Sequence, residues 1–334
     1  MGASTEYAVG VDLGGTNVKV ALVERTHGLV RRASLPSEAD GGPHRVLDRI
    51  AEGVGRVLGG LPDGEAAVGI GIGAPGAVSL DRTTVRKPPN FPGWDEVVMP
   101  EALGRRVTDL TGLSPDAPIL VENDANVAGL GSAFYGAGQA FPSFVMVTLG
   151  TGVGGAILVD RRLFRGTTGA AGELGHVSID YEGPYSRAGV PGAVEAYLGQ
   201  RYLSHHARYQ LLARETHLHE TAGQDLCDVT PQSLHAAAVA GDVASTEVLA
   251  WAGHKLGVML GSVVNLLDIR KVVVGGGVSA AGEYLLGPAR EALRRSVMPS
   301  MLEGVEMIQE TRGNDVALLG AARLVFEAVD DQAA

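Results

Sequence analysis

Val9-Gly10-Val11-Asp12-Leu13-Gly14-Gly15-Thr16-Asn17-Val18-Lys19-Val20-Ala21-Leu22 is the stretch whose reading decides the fold. An apolar run ends in an acid, turns on glycine and threonine, and returns as a second β-rich run, the pattern of a hairpin. The turn presents backbone N–H groups, a hydroxyl and a lysine beside a carboxylate. Amides of a Gly-rich turn form an anion-binding concavity, because no side chain blocks the approach of phosphate oxygens. A carboxylate at the strand end suits Mg²⁺, a hard cation that takes oxygen ligands and keeps several waters. By itself the segment fits equally a tight hairpin with an incidental Asp12 and Lys19.

The pattern recurs at Thr148-Leu149-Gly150-Thr151-Gly152-Val153-Gly154-Gly155-Ala156-Ile157-Leu158. At one constant offset Leu13 falls on Leu149, Gly14 on Gly150 and Leu22 on Leu158. Two hairpins of one type predict two similar half-folds facing a shared nucleotide.

Composition bounds the rest. The 334 residues suffice for two domains. With 45% hydrophobic and 19% charged residues the chain has globular composition. A net charge of −11 disfavours nonspecific binding to nucleic acid or an acidic membrane. The single cysteine, Cys227, excludes an intrachain disulfide and thiolate metal clusters. Met1–Glu6 lacks the basic start and apolar core of a signal peptide and the pattern for myristoylation. No apolar run approaches the ~18 residues of a membrane span. A cytoplasmic protein is expected, with neither a nucleic-acid nor a membrane partner.

Further along, Gly28–Glu38 reads as a turn and Pro43–Leu58 as a helix. Val68–Gly76 reads as a buried strand in which large residues alternate with glycine, as where another backbone or a ligand comes close. Pro88–Trp94 is a rigid loop in which Trp94 reads as an anchor and Asn90 offers an amide. Ile119–Asn126 is a strand breaking into Glu122, Asn123, Asp124 and Asn126 before a small-residue helix. Helix capping explains one of these polar residues and not four. Ligands bind at the carboxyl ends of strands in open α/β sheets, which makes Asp124 the candidate general base.

Glu173 and His176 stand three residues apart among glycines, and Glu195 opens a further helix. His205, His206, His217 and His219 lack a tidy ligand spacing and read as part of a solvated helical face. Ser245–Leu267 has helical periodicity, and Lys271–Ser279 is a buried strand entering a third glycine turn, where a base or ribose can lie on bare backbone. The last helix is expected over Asp315–Val329.

Other glycine motifs fail on context. Gly150-x-Gly152-x-x-Gly155 matches the dinucleotide fingerprint but leads into a strand rather than a helix. The His-Arg-Asp and Asp-Phe-Gly elements of protein kinases are absent, as is the Walker A lysine pattern.

Seven motifs in order resemble the ROK family (repressors, open reading frames, kinases): Asp12–Lys19, Gly71–Gly76, Asn90–Trp94, Glu122–Asn126, Thr148–Gly155, Gly172–His176 and Gly275–Ser279. These are sugar kinases of the actin/hexokinase/heat-shock ATPase superfold. The resemblance implies an α/β fold of two actin-like ATPase (ribonuclease H-like) domains with ATP and sugar in a cleft between them. The expected boundaries are 1–122 plus 315–334, and 123–314. It further implies that Asp124 accepts the proton of the sugar 6-hydroxyl. Gly76, Asn90, Asn123, Glu173, His176 and Glu195 would bind the sugar. Gly14, Gly15, Thr16, Lys19, Gly150, Thr151 and Gly152 would hold the ATP phosphates, Gly276 and Gly277 would line the adenosine pocket, and Asp12 would hold Mg²⁺ through water.

Glucose is the favoured hexose. N-Acetylmannosamine or fructose kinases, a noncatalytic sugar sensor and an actin- or chaperone-like ATPase are the alternatives. Retention of Asp12 and Asp124 argues against a sensor, and the sugar motifs against a bare ATPase. Family habit implies a homodimer or larger homo-oligomer.

Two departures stand out. The family's zinc cysteines are replaced by Ser186, Ala188 and Ala193, which cannot supply thiolates, so no structural zinc is expected. That leaves open what orders residues 180–195. The helix-turn-helix of ROK repressors has no counterpart before the first hairpin, so DNA binding is not expected.

Overall fold

The computed structural model describes residues 6–333. Residues 1–5, on which the reading of leader and acylation signals rests, lie outside them. In chain order the first elements are β1 (Tyr7–Leu13), β2 (Asn17–Glu24), β3 (Gly28–Pro36), α1 (Gly42–Leu58) and β4 (Ala67–Ala74). Next come β5 (Ala77–Val78), β6 (Thr84–Arg86), β7 (Glu96–Val98), α2 (Met99–Val107), β8 (Ile119–Asn123) and α3 (Asp124–Tyr135). They are followed by β9 (Phe144–Leu149), β10 (Val153–Val159), β11 (Arg162–Leu163), α4 (Glu195–Leu198), α5 (Gln200–Leu211) and α6 (Leu218–Thr221). The chain ends with α7 (Pro231–Val239), α8 (Val243–Leu267), β12 (Lys271–Gly275), α9 (Glu283–Ser296), β13 (Glu306–Gln309) and α10 (Asp315–Ala333).

These elements form two compact units. One comprises the chain up to Pro142, Ala156–Gly172 and the chain from Asn314; the other comprises Ser143–Gly155 and Glu173–Gly313. The grouping differs from the expected boundaries, because it keeps α3 with the first unit. The reason is a helix contact at backbone distance. A Cβ on Gly131 of α3 would stand 1.9 Å from Val316 O, and one on Gly320 of α10 would stand 1.7 Å from Val127 O. Only paired glycines let two helices approach so closely.

The first unit is built on a sheet of order β3-β2-β1-β4-β8. β1, β2 and β3 run antiparallel, while β1, β4 and β8 are parallel. On one face α1 supplies Val46, Leu47, Ile50, Val54 and Val57 to the core. The glycines of β1 and β4 explain the other face. A Cβ on Gly10 would stand 2.0 Å from Leu318 O, and one on Gly71 1.8 Å from Ala321 O, so α10 lies with its backbone against the sheet. The alternation of Ile and Gly in β4 therefore serves a second backbone rather than a ligand.

Gly28–Glu38, expected to turn, is mostly strand β3. It is the edge strand, and its exposed Arg31 and Arg32 hide the apolar alternation that marks an inner strand.

The second sheet has the order β11-β10-β9-β12-β13, and the division between units passes through β10. β12 is parallel to both β9 and β13, and β10 is antiparallel to β11. The order repeats that of the first sheet strand for strand, a hairpin side followed by two parallel crossovers. α8 crosses this unit's core with Val248, Leu249, Leu256, Leu260 and Val264 buried. The histidine-bearing segment is less solvated than its composition implies. α5 buries Leu203, Ala207 and Leu211, and His206 stacks on Trp251 with ring centroids 3.6 Å apart. Burial, with Lys255 nearby, holds the His206 imidazole below its usual pKa.

Candidate active site

In the first unit, strand register fixes which groups meet. Asp12 pairs with Gly73, and Gly73 with Glu122, so the carboxyl ends of β1, β4 and β8 finish level. Neighbouring strands lie ~4.8 Å apart, which puts Asp12 and the β8 end roughly 10 Å apart along one sheet edge. Lys19 stands opposite Asp12 on β2, and its Nζ lies 3.0 Å from Asp12 Oδ2.

Between them the turn is held from two sides. Gly14 N–H donates to Asn17 O at 3.0 Å. Ser37 donates its backbone N–H to Thr16 O at 2.9 Å and its hydroxyl to Gly15 O at 2.6 Å. Sequence reasoning missed Ser37, because its partner lies across the sheet. The Gly14 amide is thus used inside the turn.

Asn90 belongs to the same edge. A Cβ on Gly15 would stand 3.2 Å from Asn90 Cβ. Asn90 is left-handed at φ 68°, in a loop pinned by buried Trp94 and Phe91, whose rings meet edge-on at 5.6 Å. Gly76 has φ 94°, and a Cβ there would press to 2.9 Å against Arg86 O and Pro88 Cα. Its role in this unit is to let the β4 loop turn under the Asn90 segment.

At the end of β8, Asn123 caps α3. Its Oδ1 accepts from Ala125 N at 3.0 Å and Asn126 N at 3.3 Å. Asp124 is the first helical residue, exposed, with Oδ1 accepting from Ala125 N at 2.9 Å.

Glu122 lies immediately behind and is fully buried. Arg165 Nε stands 2.7 Å and Arg82 Nε 3.3 Å from its Oε2. Breaking such a buried pair by removing one partner costs about 3–5 kcal/mol. Burial pulls the Arg165 guanidinium below its usual pKa range, and Glu122 opposes that pull.

The second unit repeats the motif with other chemistry. Gly275 of β12 pairs with Thr148 of β9, so the turns at 150–152 and 276–277 leave one sheet edge. Gly150 N–H donates to Gly152 O at 2.9 Å, and Gln200 N–H donates to Gly150 O at 2.9 Å. Val153 N–H donates to Glu195 Oε2 at 3.1 Å, and a Cβ on Gly152 would stand 2.4 Å from that oxygen. Glu195 thus reaches the second hairpin, beside Thr151, as well as opening α4. Gly276 has φ 86°, and a Cβ there would stand 2.4 Å from Leu149 O, so its glycine is required by the strand beneath it. Gly277 follows it in the exposed turn.

Glu173 and His176 flank a short turn with Nε2 and Oε2 3.8 Å apart. Gly175 between them fits because its would-be Cβ stands 2.0 Å from Val153 O, which holds this turn against the second hairpin.

Residues 180–195 are ordered without thiolates. Ile179 N–H donates to Gly192 O (2.9 Å), Val194 N–H to Val177 O (3.0 Å), Gly192 N–H to Pro184 O (2.8 Å) and Ser186 N–H to Val190 O (3.0 Å). Tyr197 adds a hydroxyl bond to Asp180 Oδ2 at 3.4 Å. Ser186, at a cysteine position of the family motif, is itself buried.

Each of the two five-stranded sheets therefore presents a glycine turn and polar side chains at its carboxyl edge. That architecture defines a duplicated α/β protein of the actin-like ATPase class. A model of the ROK family matches residues 8–328, and the chain belongs to that family. It is 32% identical to the glucokinase of Thermotoga maritima, over 96% of this chain and 98% of that protein. The ROK hexokinase from Thermus thermophilus has TM-score 0.79 at 30% identity, covering 97% of this chain and 99% of the other. The ROK family glucokinase from Streptomyces griseus, in complex with glucose and AMPPNP, has TM-score 0.77 at 28% identity, covering 96% and 99%.

Proposed function

We propose that this chain is an ATP-dependent hexose kinase that phosphorylates the 6-hydroxyl of glucose. The observation that carries the reading is the register row Asp12–Gly73–Glu122, which sets one carboxylate beside a phosphate-type turn and delivers Asp124 at the same sheet edge. The likeness to glucokinases over nearly the whole chain supports the choice of glucose.

Asp124 takes the proton from the 6-hydroxyl as that oxygen attacks the γ-phosphorus and the bond to ADP breaks. Asn90, Asn123, Glu173, His176 and Glu195 pair with the ring hydroxyls, and Gly76 shapes the loop beneath Asn90. Polar partners of this kind discriminate strongly once a bound sugar covers them, since a missing hydroxyl leaves them unpaired. The turns at Gly14–Thr16 and Gly150–Gly152 hold phosphate, with Lys19 adding charge, and Gly276 and Gly277 give adenosine a flat backbone to lie on. Phosphoryl transfer asks little more of a protein than positioning and charge stabilisation.

The donors fit a magnesium ion at Asp12: a half-buried carboxylate paired with Lys19, next to turn amides. When bound there, the ion would neutralise charge on the β- and γ-phosphate oxygens.

The test is ADP release from MgATP against glucose, mannose, fructose, N-acetylmannosamine and N-acetylglucosamine. Glucose is expected to give the highest kcat/KM. A different best sugar would reassign the substrate, and no stimulation by any of them would contradict a kinase.

A further inference from the structure

Glu122 and Asn126 are the polar residues of the Glu122–Asn126 motif for which neither capping nor proton transfer gives a use, and they are bonded to each other. The Glu122 carboxylate is fully engaged. Oε1 accepts from Asn123 N at 2.9 Å and from Asn126 Nδ2 at 3.1 Å. Oε2 faces the two guanidinium groups of Arg165 and Arg82. Arg165 is anchored in turn, with Nη1 donating to Leu80 O at 2.6 Å and Nη2 to Ser79 O at 2.9 Å. Arg82, at φ 60°, accepts the Val121 N–H on its own carbonyl at 2.8 Å. A cation from the segment after β11 thus locks the 79–82 turn to the end of β8. The far side of the same carboxylate grips the chain at Asn123 and at Asn126, before and after Asp124.

Apolar residues of similar volume can close a strand end without loss of stability, often with a gain. A fully buried carboxylate held by two partly exposed guanidinium groups therefore calls for a reason other than packing, and the geometry supplies one. We propose that Arg165, acting through Glu122, is a positioning residue that fixes the carboxylate of Asp124; this rests on the reading of Asp124 as the base. Without Arg165, Glu122 loses its anchor and the first turn of α3 its fixed register. A displacement of about 1 Å at a reacting group costs on the order of 10²-fold in rate.

The experiment is steady-state kinetics with ATP and the best hexose of the panel, on Arg165→Met, Arg165→Lys, Asp124→Asn and the Arg165→Met/Asp124→Asn double variant, with folding checked by circular dichroism. For Arg165→Met the expected kcat is ~10–100-fold below wild type with both KM values within ~3-fold, the signature of a group that acts only in the transition state. Arg165→Lys keeps the charge but not the fork and is expected in between. The double variant is expected to be no slower than Asp124→Asn alone, within ~3-fold, because the two act as one unit.

A wild-type kcat in Arg165→Met, KM values that move as far as kcat, or losses that multiply in the double variant would overturn the proposal. If Arg165→Met does not fold, Arg165→Lys decides by the same split: reduced kcat at constant KM supports it, wild-type kcat overturns it. Wild-type activity in Asp124→Asn would instead overturn the base assignment, a result distinguishable from failure of Arg165 alone.

Discussion

The two hairpins share a strand order but not a charge arrangement. In the first, Asp12 and Lys19 face each other across the strands and Ser37 clamps the turn. In the second, the equivalent positions are Thr148 and Gly155, and an acid, Glu195, reaches the turn from α4. The first turn combines an acid and a cation, the set that on the proposed reading would hold a magnesium ion and phosphate. The second offers amides and the carboxylate of Glu195, which on the proposed reading would meet the sugar. A duplicated scaffold fixes where backbone amides point, and side chains then decide what each copy holds.

This contrast can be broken. The largest effect is expected from removing the acid of the first turn. Asp12→Ala should lower kcat/KM by ~10²-fold or more, since charge neutralisation is most of what such a site contributes. Thr148→Ala, at the matching place, should change it by less than ~3-fold. Equal losses in parallel assays would erase the distinction.

A finer probe lies within the second turn. A methyl on Gly152 must displace the Glu195 carboxylate, whereas one on Gly150 meets nothing within 4 Å. Gly152→Ala should therefore raise the sugar KM by about tenfold, the cost of losing one polar contact of roughly 1.4 kcal/mol. Gly150→Ala should leave it within ~2-fold. A KM that responds to both alike would detach Glu195 from the sugar.

The smallest effect concerns stability in alkali and separates the units by pH. Burial pushes the Tyr135 phenol in the first unit up to about 12, and its hydroxyl donates to Arg25 O at 3.0 Å. The folded pKa is above the unfolded value near 10. The stabilisation is therefore complete below pH 10 and is lost as pH rises toward 12. Tyr135→Phe should flatten the decline in melting temperature across that window. An unchanged slope would place the alkaline sensitivity elsewhere, with Tyr197 of the second unit, also raised by burial, as the next residue to replace.

Much of this was legible in the chain, where signals are local. The hairpins announce themselves by apolar runs around glycine, α8 by its stripe, and the Asn123 cap by residue type. β3 was not legible, because an edge strand with Arg31 and Arg32 outward carries the polarity of a loop. The glycines of β4 showed that something comes close, but only the structure identifies α10, which lies far along the sequence. Ser37, Tyr197 and Arg165 gave no signal, since each acts on a partner brought near by folding. Glu122 stood in the motif, yet its burial and its two cations belong to the tertiary structure alone.

On the proposed reading Asp124 receives the hydroxyl proton, and kcat beside glucose affinity in Asp124→Asn tests this. The amide keeps the shape and the hydrogen bond from Ala125 N but cannot take a proton at neutral pH. The account predicts a kcat lower by ~10²-fold or more, the lower end for a general base, with the glucose Kd from calorimetry within ~3-fold of wild type. A kcat within a few-fold of wild type, with binding intact, would contradict it.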